Sequence, residues 1–399
     1  MKKSLLPLAL GGLGIGTTEF VMMGVLPDIS HDFNISIPDA GHVISAYALG
    51  VVIGAPLLVA ATSNIAPKKI LFGLMALFTI FNTLSAFAPN PTILFIARLF
   101  SGLPHGAFFG VGSVVASRLA DKGKQAQAIS VMFGGLTVAN LLTVPLGTYI
   151  GHHFSWRYTF GGVGLIGLIT MASLYWLLPR MPILRSGDIR SELKVFARIE
   201  PWLIVLITSI GTGGLFCWIS YIAPLMTEVT HLSASTVPYV MVVAGLGMFV
   251  GNIAGGKLAD RLKPLTACIA LLLAMATGLL TIYFVSWHPV MSLAMTFIAG
   301  SFSLAIAAPI QVLMIQFTKG AEMLGASVTQ AAFNIGNALG AFLGGLPIAA
   351  GYGYTSPALV GVAMALTGAC FAWILIRRNK KADAGTALKE GNTTKAAAV

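Results

Sequence analysis

Charge is the scarcest property of this chain. Lys, Arg, Asp and Glu make up 9% of its 399 residues, against about a quarter in soluble domains. Acids are the rarer sign, 13 against 24 basic residues. Cysteine is nearly absent: Cys217, Cys268 and Cys370 all fall in apolar runs with no CxxC pair. That excludes a disulfide framework and a thiolate metal centre. No GxSxG, HExxH or Walker loop occurs, so neither an enzyme constellation nor an ATP-driven engine is expected, and no cofactor or metal. The glycine-rich run 11–16 lies inside an apolar segment without a preceding strand, so it is no dinucleotide loop. What is present is apolar: 56% hydrophobic residues, 45 glycines and a mean hydropathy of +0.87. This composition predicts an all-α integral membrane protein in which small residues let helices approach closely.

Hydropathy places twelve spans of ~20 residues, over 4–26, 39–61, 69–88, 91–116, 125–150, 157–178, 201–226, 236–257, 265–286, 290–316, 323–348 and 355–377. The first, preceded by Lys2 and Lys3, is too long for a secretory signal and lacks a small-residue cleavage site, so it reads as an uncleaved helix. Twenty-two of the 24 basic residues fall on one side of these spans; the exceptions are Arg98 and Arg157. By the positive-inside rule both termini are cytoplasmic, and the net charge of +11 is a topology signal, not a nucleic-acid footprint. The expected organisation is an amino-terminal six-helix bundle at 1–178, a cytoplasmic central loop at 179–200, a carboxy-terminal bundle at 201–377 and a disordered tail at 378–399, rich in Lys, Ala, Thr and Gly.

The two halves match at a constant offset of 197 residues. Gly50 and Gly54 pair with Gly247 and Gly251, Pro27 closing span one with Pro224 closing span seven, Ser130 with Ser327, Asn140 with Asn337 and Gly147 with Gly344. Six spans per half make this a parallel repeat about an axis along the membrane normal, giving two pseudo-symmetric bundles. The repeat fails at the embedded charges. Glu19 maps to Phe216, and Arg98 to Met295 or Gly300.

A charge inside a span costs at least about 2.5 kcal/mol and marks function by default. Glu19 lies ~22 Å from the cytoplasmic end of span one, and Arg98 ~10 Å from the outer end of span four, so they share a depth. They form either a coupled proton site or a structural ion pair. His105, two turns beyond Arg98, is either a proton relay or a neutral hydrogen-bonded histidine. Thr137 and Asn140 in span five, and Gln330, Asn334 and Asn337 in span eleven, follow helical spacing and either face polar cargo or join helices. Phe216 is a candidate cavity residue, as are Trp218 and Tyr221 in span seven and Tyr47 in span two, with interface belts as the alternative for these three and the favoured one for Tyr221.

Between spans eight and nine stands Gly256-Lys-Leu-Ala-Asp260-Arg261, which resembles the loop signature of the major facilitator superfamily. The resemblance implies a charge latch of Gly256, Asp260 and Arg261, with a degenerate first-half copy that keeps Lys68 and Lys69 and lacks the acid. Arg98-x-x-x-Gly102 and the span-five stretch from Asn140 to Thr148 are similar to motifs of its twelve-span drug:proton antiporter branch. Thr18-Glu19-Phe20 and Leu103-Pro-His105-Gly look closest to the arabinose-efflux permease (AraJ-like) group. That resemblance implies spans one, four, seven and ten around a central cavity. It also implies a monomeric secondary transporter of a bacterial inner membrane, with protons, a small solute and the lipid bilayer as partners. The expected activity is proton-coupled efflux, with import and a non-transporting membrane sensor as alternatives. In that scheme Glu19 takes the proton, and movement of Arg98 during the cycle switches its proton affinity.

Overall fold

The computed structural model describes residues 3–35, 37–62, 64–183 and 189–396. It contains twelve helices long and apolar enough to cross a membrane, numbered here as spans one to twelve. They are Lys3–Phe33, Asp39–Ala61, Pro67–Ala86, Pro91–Leu119, Gln125–His153, Trp156–Leu177, Ile199–Ile219, Val237–Arg261, Pro264–Val285, Pro289–Phe317, Glu322–Ala349 and Ser356–Asn379. Prolines at the first turns of spans three, four, nine and ten start these helices at positions where the missing N–H costs nothing. Asn90 adds a side-chain cap, accepting from the Ile93 N–H at 2.9 Å.

Three expectations are corrected. Pro27 does not close span one: the helix continues to Phe33 and ends at Asn34, whose left-handed backbone (φ 52°) lets its N–H reach the last carbonyls. Inside the helix Pro27 forfeits the hydrogen bond to the Met23 carbonyl and its ring crowds that carbonyl, a cost of about 3 kcal/mol. Pro224 likewise sits between a short helix and the π-helical turn Leu225–Val229. The segment 378–396, expected to lack structure, continues the helix that begins at Ser356. Its many Ala and Lys residues, with Leu388 and Glu390, are good helix formers, which outweighs the two glycines. Within the central segment a short helix covers Ile189–Val195.

The repeat has a packing counterpart. Spans two and four cross with Gly50 against the Leu99 carbonyl and Gly54 against Leu103; spans eight and ten cross with Gly247 against the Phe297 carbonyl and Gly251 against Ser301. A Cβ at any of these four positions would overlap backbone. The glycines are therefore what lets each pair of helices touch. Span five carries a π-helical turn at Ala139–Thr143, just before Pro145, whose absent N–H leaves the Leu141 carbonyl without its helical donor. A second π-turn, Ile207–Thr212, interrupts span seven.

The halves meet toward the face that carries both chain ends and the basic loops, called here the basic face. One apolar core there draws on both, including Phe109 and Phe133 with Ala307, Ala308 and Ala326. Span five packs against span eight, and spans two and four against span eleven. At the opposite face, span one is tied to spans five and six by Asp28–His152 at 2.7 Å and Asp32–Arg157 at 3.0 Å.

Candidate functional site

Arg98 is 1% exposed, and four other spans hold its guanidinium. From span one, Thr18 accepts twice: Nη1 donates to its Oγ1 at 2.6 Å and Nη2 to its carbonyl at 3.0 Å. From span three, Asn82 Oδ1 accepts from Thr18 Oγ1 at 2.5 Å and lies 3.5 Å from Nη1. From spans two and six, the rings of Tyr47 and Phe160 lie 4.3 and 5.3 Å from the guanidinium carbon. A planar, weakly hydrated cation suits such a stacked cage in a way an ammonium does not. Asn82 is itself fixed, its amide donating to the Phe78 carbonyl at 2.8 Å.

Glu19 follows Thr18 directly, so the two embedded charges share a depth. They do not form an ion pair. Glu19 is half-buried and has no hydrogen bond or salt bridge among the described residues. Arg98 acts on it through its field alone. The proposed movement of Arg98 is therefore replaced by a different picture. The cation is anchored within spans one, two, three and six, and the free member of the pair is the carboxylate.

His105 is 3% exposed, with Nδ1 3.0 Å from the Tyr47 hydroxyl and its ring against Phe109 at 5.4 Å. Tyr47, expected as a cavity aromatic, is buried at 3% and bridges Arg98 to His105. Arg98, Tyr47 and His105 form one continuous cluster, with Glu19 at its accessible edge.

The other candidates do not converge. Thr137 is fully buried with its hydroxyl on the Gly134 carbonyl at 2.8 Å, and Asn140 bonds the Leu136 carbonyl of its own helix at 3.3 Å. Trp218 is buried at 2% in the second-half core. Phe216 is half-buried with its Cβ against Gly340 of span eleven. Asn334 donates to the Gln330 carbonyl at 3.1 Å, and Asn337 is half-buried. Gln330 lies at the junction of the halves, 3.4 Å from the Cβ position of Gly106, with its Nε2 buried and unpartnered.

The latch residues divide the same way. Asp260 reaches into the other half and accepts from the N–H groups of Ala126 and Gln127, both at 2.9 Å, at the first turn of span five. A carboxylate there satisfies orphan donors and opposes the positive end of the helix dipole. Gly256 packs against Ser130 Oγ, and Asn252 donates to the Ser130 carbonyl at 2.7 Å. Arg261 and Lys69 are exposed and make no ion pair among the described residues. Lys68 does not latch the halves. It donates to the Tyr175 and Leu178 carbonyls at 2.8 and 2.5 Å, capping span six of its own half.

Several residues of the site were not anticipated: Thr18, Asn82 and Phe160 around Arg98, and Ser113, Gln311, Asn252 and Ser130 between the halves. Gln311 Nε2 donates across the junction to Ser113 Oγ and, within its own half, to the Ala326 carbonyl, both at 3.1 Å. A polar side chain inside an apolar span was the available signal for each of them except Phe160. Among the described residues no group of His, Cys, Asp and Glu is placed to hold a metal ion.

Comparison with known proteins agrees with this fold. A family model described as Major Facilitator Superfamily matches residues 8–328 and 206–398. Putative transporter AraJ of Escherichia coli (strain K12) is 42% identical over 359 residues, covering 90% of this chain and 91% of that protein. Inner membrane transport protein YdhP of the same strain is 41% identical over 361 residues, covering 90% and 92%. Among solved structures, the transporter FucP in its outward conformation superposes with a TM-score of 0.76 at 15% identity, over 93% of this chain and 98% of that one. The proton:xylose symporter XylE superposes with a TM-score of 0.74 at 18% identity, over 93% and 94%.

Proposed function

We propose that this chain, which belongs to the major facilitator superfamily and is a membrane transporter and not an enzyme, exports a small amphipathic or polar solute in exchange for protons by alternating access. The observation that carries the reading is the state of Glu19: a carboxylate at membrane depth, half-buried, with no bonded partner among the described residues, beside a cation locked in place. The basic distribution puts both termini and the basic face in the cytoplasm of a bacterial inner membrane. The bundles 1–178 and 201–377 then rock about the central cavity as a monomer, with the segment 179–200 as their cytoplasmic link.

The chemistry follows from which partner is fixed. Arg98 keeps its cage in every state because all of its partners belong to the first bundle. Glu19 changes surroundings as the second bundle, which carries Phe216 at the repeat-related position, closes on it or leaves it. Facing water, the carboxylate ionises in the field of Arg98. Covered by apolar surface, its charge becomes expensive and it takes a proton. Solute and proton alternate because cargo occupies the same cavity. Tyr47, held by His105, stacks on the Arg98 guanidinium and fixes its orientation.

A susceptibility and uptake screen of cells with and without the gene identifies cargo and direction; accumulation dependent on the gene would make the protein an importer. In proteoliposomes loaded with that cargo, Glu19→Gln should abolish movement driven by a pH gradient and leave downhill exchange intact. Undiminished gradient-driven transport by a folded Glu19→Gln protein would overturn the assignment of this carboxylate.

A further inference from the structure

A groove of 440 Å³ opens on the side of the molecule between spans one, five and eight, away from the Arg98 cluster. Its walls are Leu10, Leu13, Val131, Val138, Phe249 and Ile253. On span five the lining positions 127, 131, 134 and 138 form one helical stripe of partly buried residues. The stripe points away from Phe133, which is stacked on Phe109 in the shared core. Phe249 and Ile253 are among the exposed apolar residues of span eight. The groove therefore faces the bilayer and not the space between the bundles.

Its polarity is graded along the membrane normal. At the basic face stand the Lys257 and Gln127 side chains, neither hydrogen-bonded nor ion-paired among the described residues. The nearby acid, Asp260, is occupied by the two span-five amides. One turn deeper, Ser130 lies along the groove at 6% exposure with its Oγ turned into the seam against Gly256. From Gln127 to Val138 the helix rises ~16 Å, about half of a ~30 Å hydrocarbon core and so the depth of one leaflet.

We infer that the groove binds one phospholipid of the leaflet at the basic face, with an acyl chain along Leu13 and Val138 and an anionic phosphate at Lys257 and Gln127. Water or a free phosphate explains the cation but not an apolar trough one leaflet long; an uncharged lipid explains the trough but not the unpaired lysine. The floor of the groove is the seam between spans five and eight, so the lipid bridges the two halves and favours the arrangement in which that seam is closed.

The test uses the purified full chain in detergent, with thermal stability read against added phosphatidylglycerol, phosphatidylcholine and glycerol 3-phosphate. Phosphatidylglycerol should raise the melting temperature most, phosphatidylcholine less, and glycerol 3-phosphate not at all. Lys257→Gln should weaken phosphatidylglycerol binding about fivefold, the loss of about 1 kcal/mol for one basic residue at an anionic headgroup. Gly134→Leu fills the trough, since a Cβ there meets only Asn252 Nδ2 at 3.6 Å, and should remove the response to both lipids. Val131→Phe serves as a second filler should the first fail to fold. The proposal falls if phosphatidylglycerol still protects a folded groove-filled variant, if Lys257→Gln keeps the headgroup preference, or if glycerol 3-phosphate protects as well as the lipid.

Discussion

The two seams that join the halves are related by the internal repeat and yet are closed by different forces. At the seam of spans five and eight, Asp260 binds two amides of span five and Asn252 binds the Ser130 carbonyl. The positions related by the same offset are Ser63, which lies outside the described residues, and Ala55 and Ser327 at the seam of spans two and four with span eleven. There the helices meet mainly by close packing, Gly110 against Ser327 and Gly106 against Gln330, with one neutral hydrogen bond across, Gln311 Nε2 to Ser113 Oγ at 3.1 Å. A charge-assisted hydrogen bond is directional and breaks within a short separation; close packing of glycine faces resists only through area lost. The duplicated fold has thus kept a symmetric scaffold while giving one seam a charged catch and the other a largely smooth face.

The largest effect should come from the smooth face, because steric overlap with backbone has no relaxed alternative. A Cβ on Gly110 would stand 2.7 Å from the backbone N and Cα of Ser327. Gly110→Val should therefore prevent closure of the basic face at that seam, an overlap costing at least about 1–3 kcal/mol. Spin labels at Lys69 and Lys319 read this seam; labels at Lys122 and Lys263 read the other, all four positions being exposed. Cys370 is the exposed native thiol and is replaced first. Gly110→Val should lengthen the first distance more than the second and stop transport. Equal lengthening would mean that the seams open as one rigid joint.

Asp260→Ala attacks the catch. Hydrogen bonds to a charged group are worth about 1.5–3 kcal/mol, so the closed population should fall roughly ten- to a hundredfold, read first in the Lys122–Lys263 distance. Asp260→Asn keeps one acceptor and should fall between Ala and wild type. If Asn matches wild type, the charge and the helix dipole contribute nothing and packing closes both seams.

Much of this was legible in the sequence, and the gaps share a cause. The spans could be read because an apolar run of about twenty residues has few alternatives. The glycine crossings could be read as a repeated spacing at Gly50–Gly54 and Gly247–Gly251. Arg98 announced itself by its charge. Its partners did not: a threonine hydroxyl, a backbone carbonyl and two ring faces carry no sequence signature of pairing, whereas Glu19, the obvious counter-charge, does not touch it. Asp260 was visible as part of a motif, but its acceptors' partners are backbone N–H groups, which every residue has. Lys68 was misplaced for the same reason, since carbonyls of span six are invisible in the sequence.

Asn252→Ala gives the polar seam the residue found at the related position of the smooth one, Ala55. It removes a single neutral hydrogen bond of 2.7 Å to the Ser130 carbonyl. Such a bond is worth about 0.5–1.5 kcal/mol, so the closed population should fall a few-fold, less than for Asp260→Ala. A loss as large as that of Asp260→Ala would show that the two residues act as one unit, which the double variant would confirm by failing to add.

The smallest effect is expected from Lys68, and its smallness is what the comparison rests on. Lys68 descends from the basic pair of the degenerate loop copy, so a latch role would place a second catch on the smooth seam. Its ammonium instead sits on the carboxy-terminal carbonyls of span six, within the first half, 5.9 Å from the Tyr175 ring. A cation at a helix carboxy terminus contributes about 0.3–1 kcal/mol. Lys68→Gln should accordingly lower the melting temperature slightly and leave both inter-bundle distances unchanged, because both of its bonds stay inside one rigid bundle. Should Lys68→Gln lengthen the Lys69–Lys319 distance, the first-half loop takes part in closure after all, and the two seams differ in strength and not in kind.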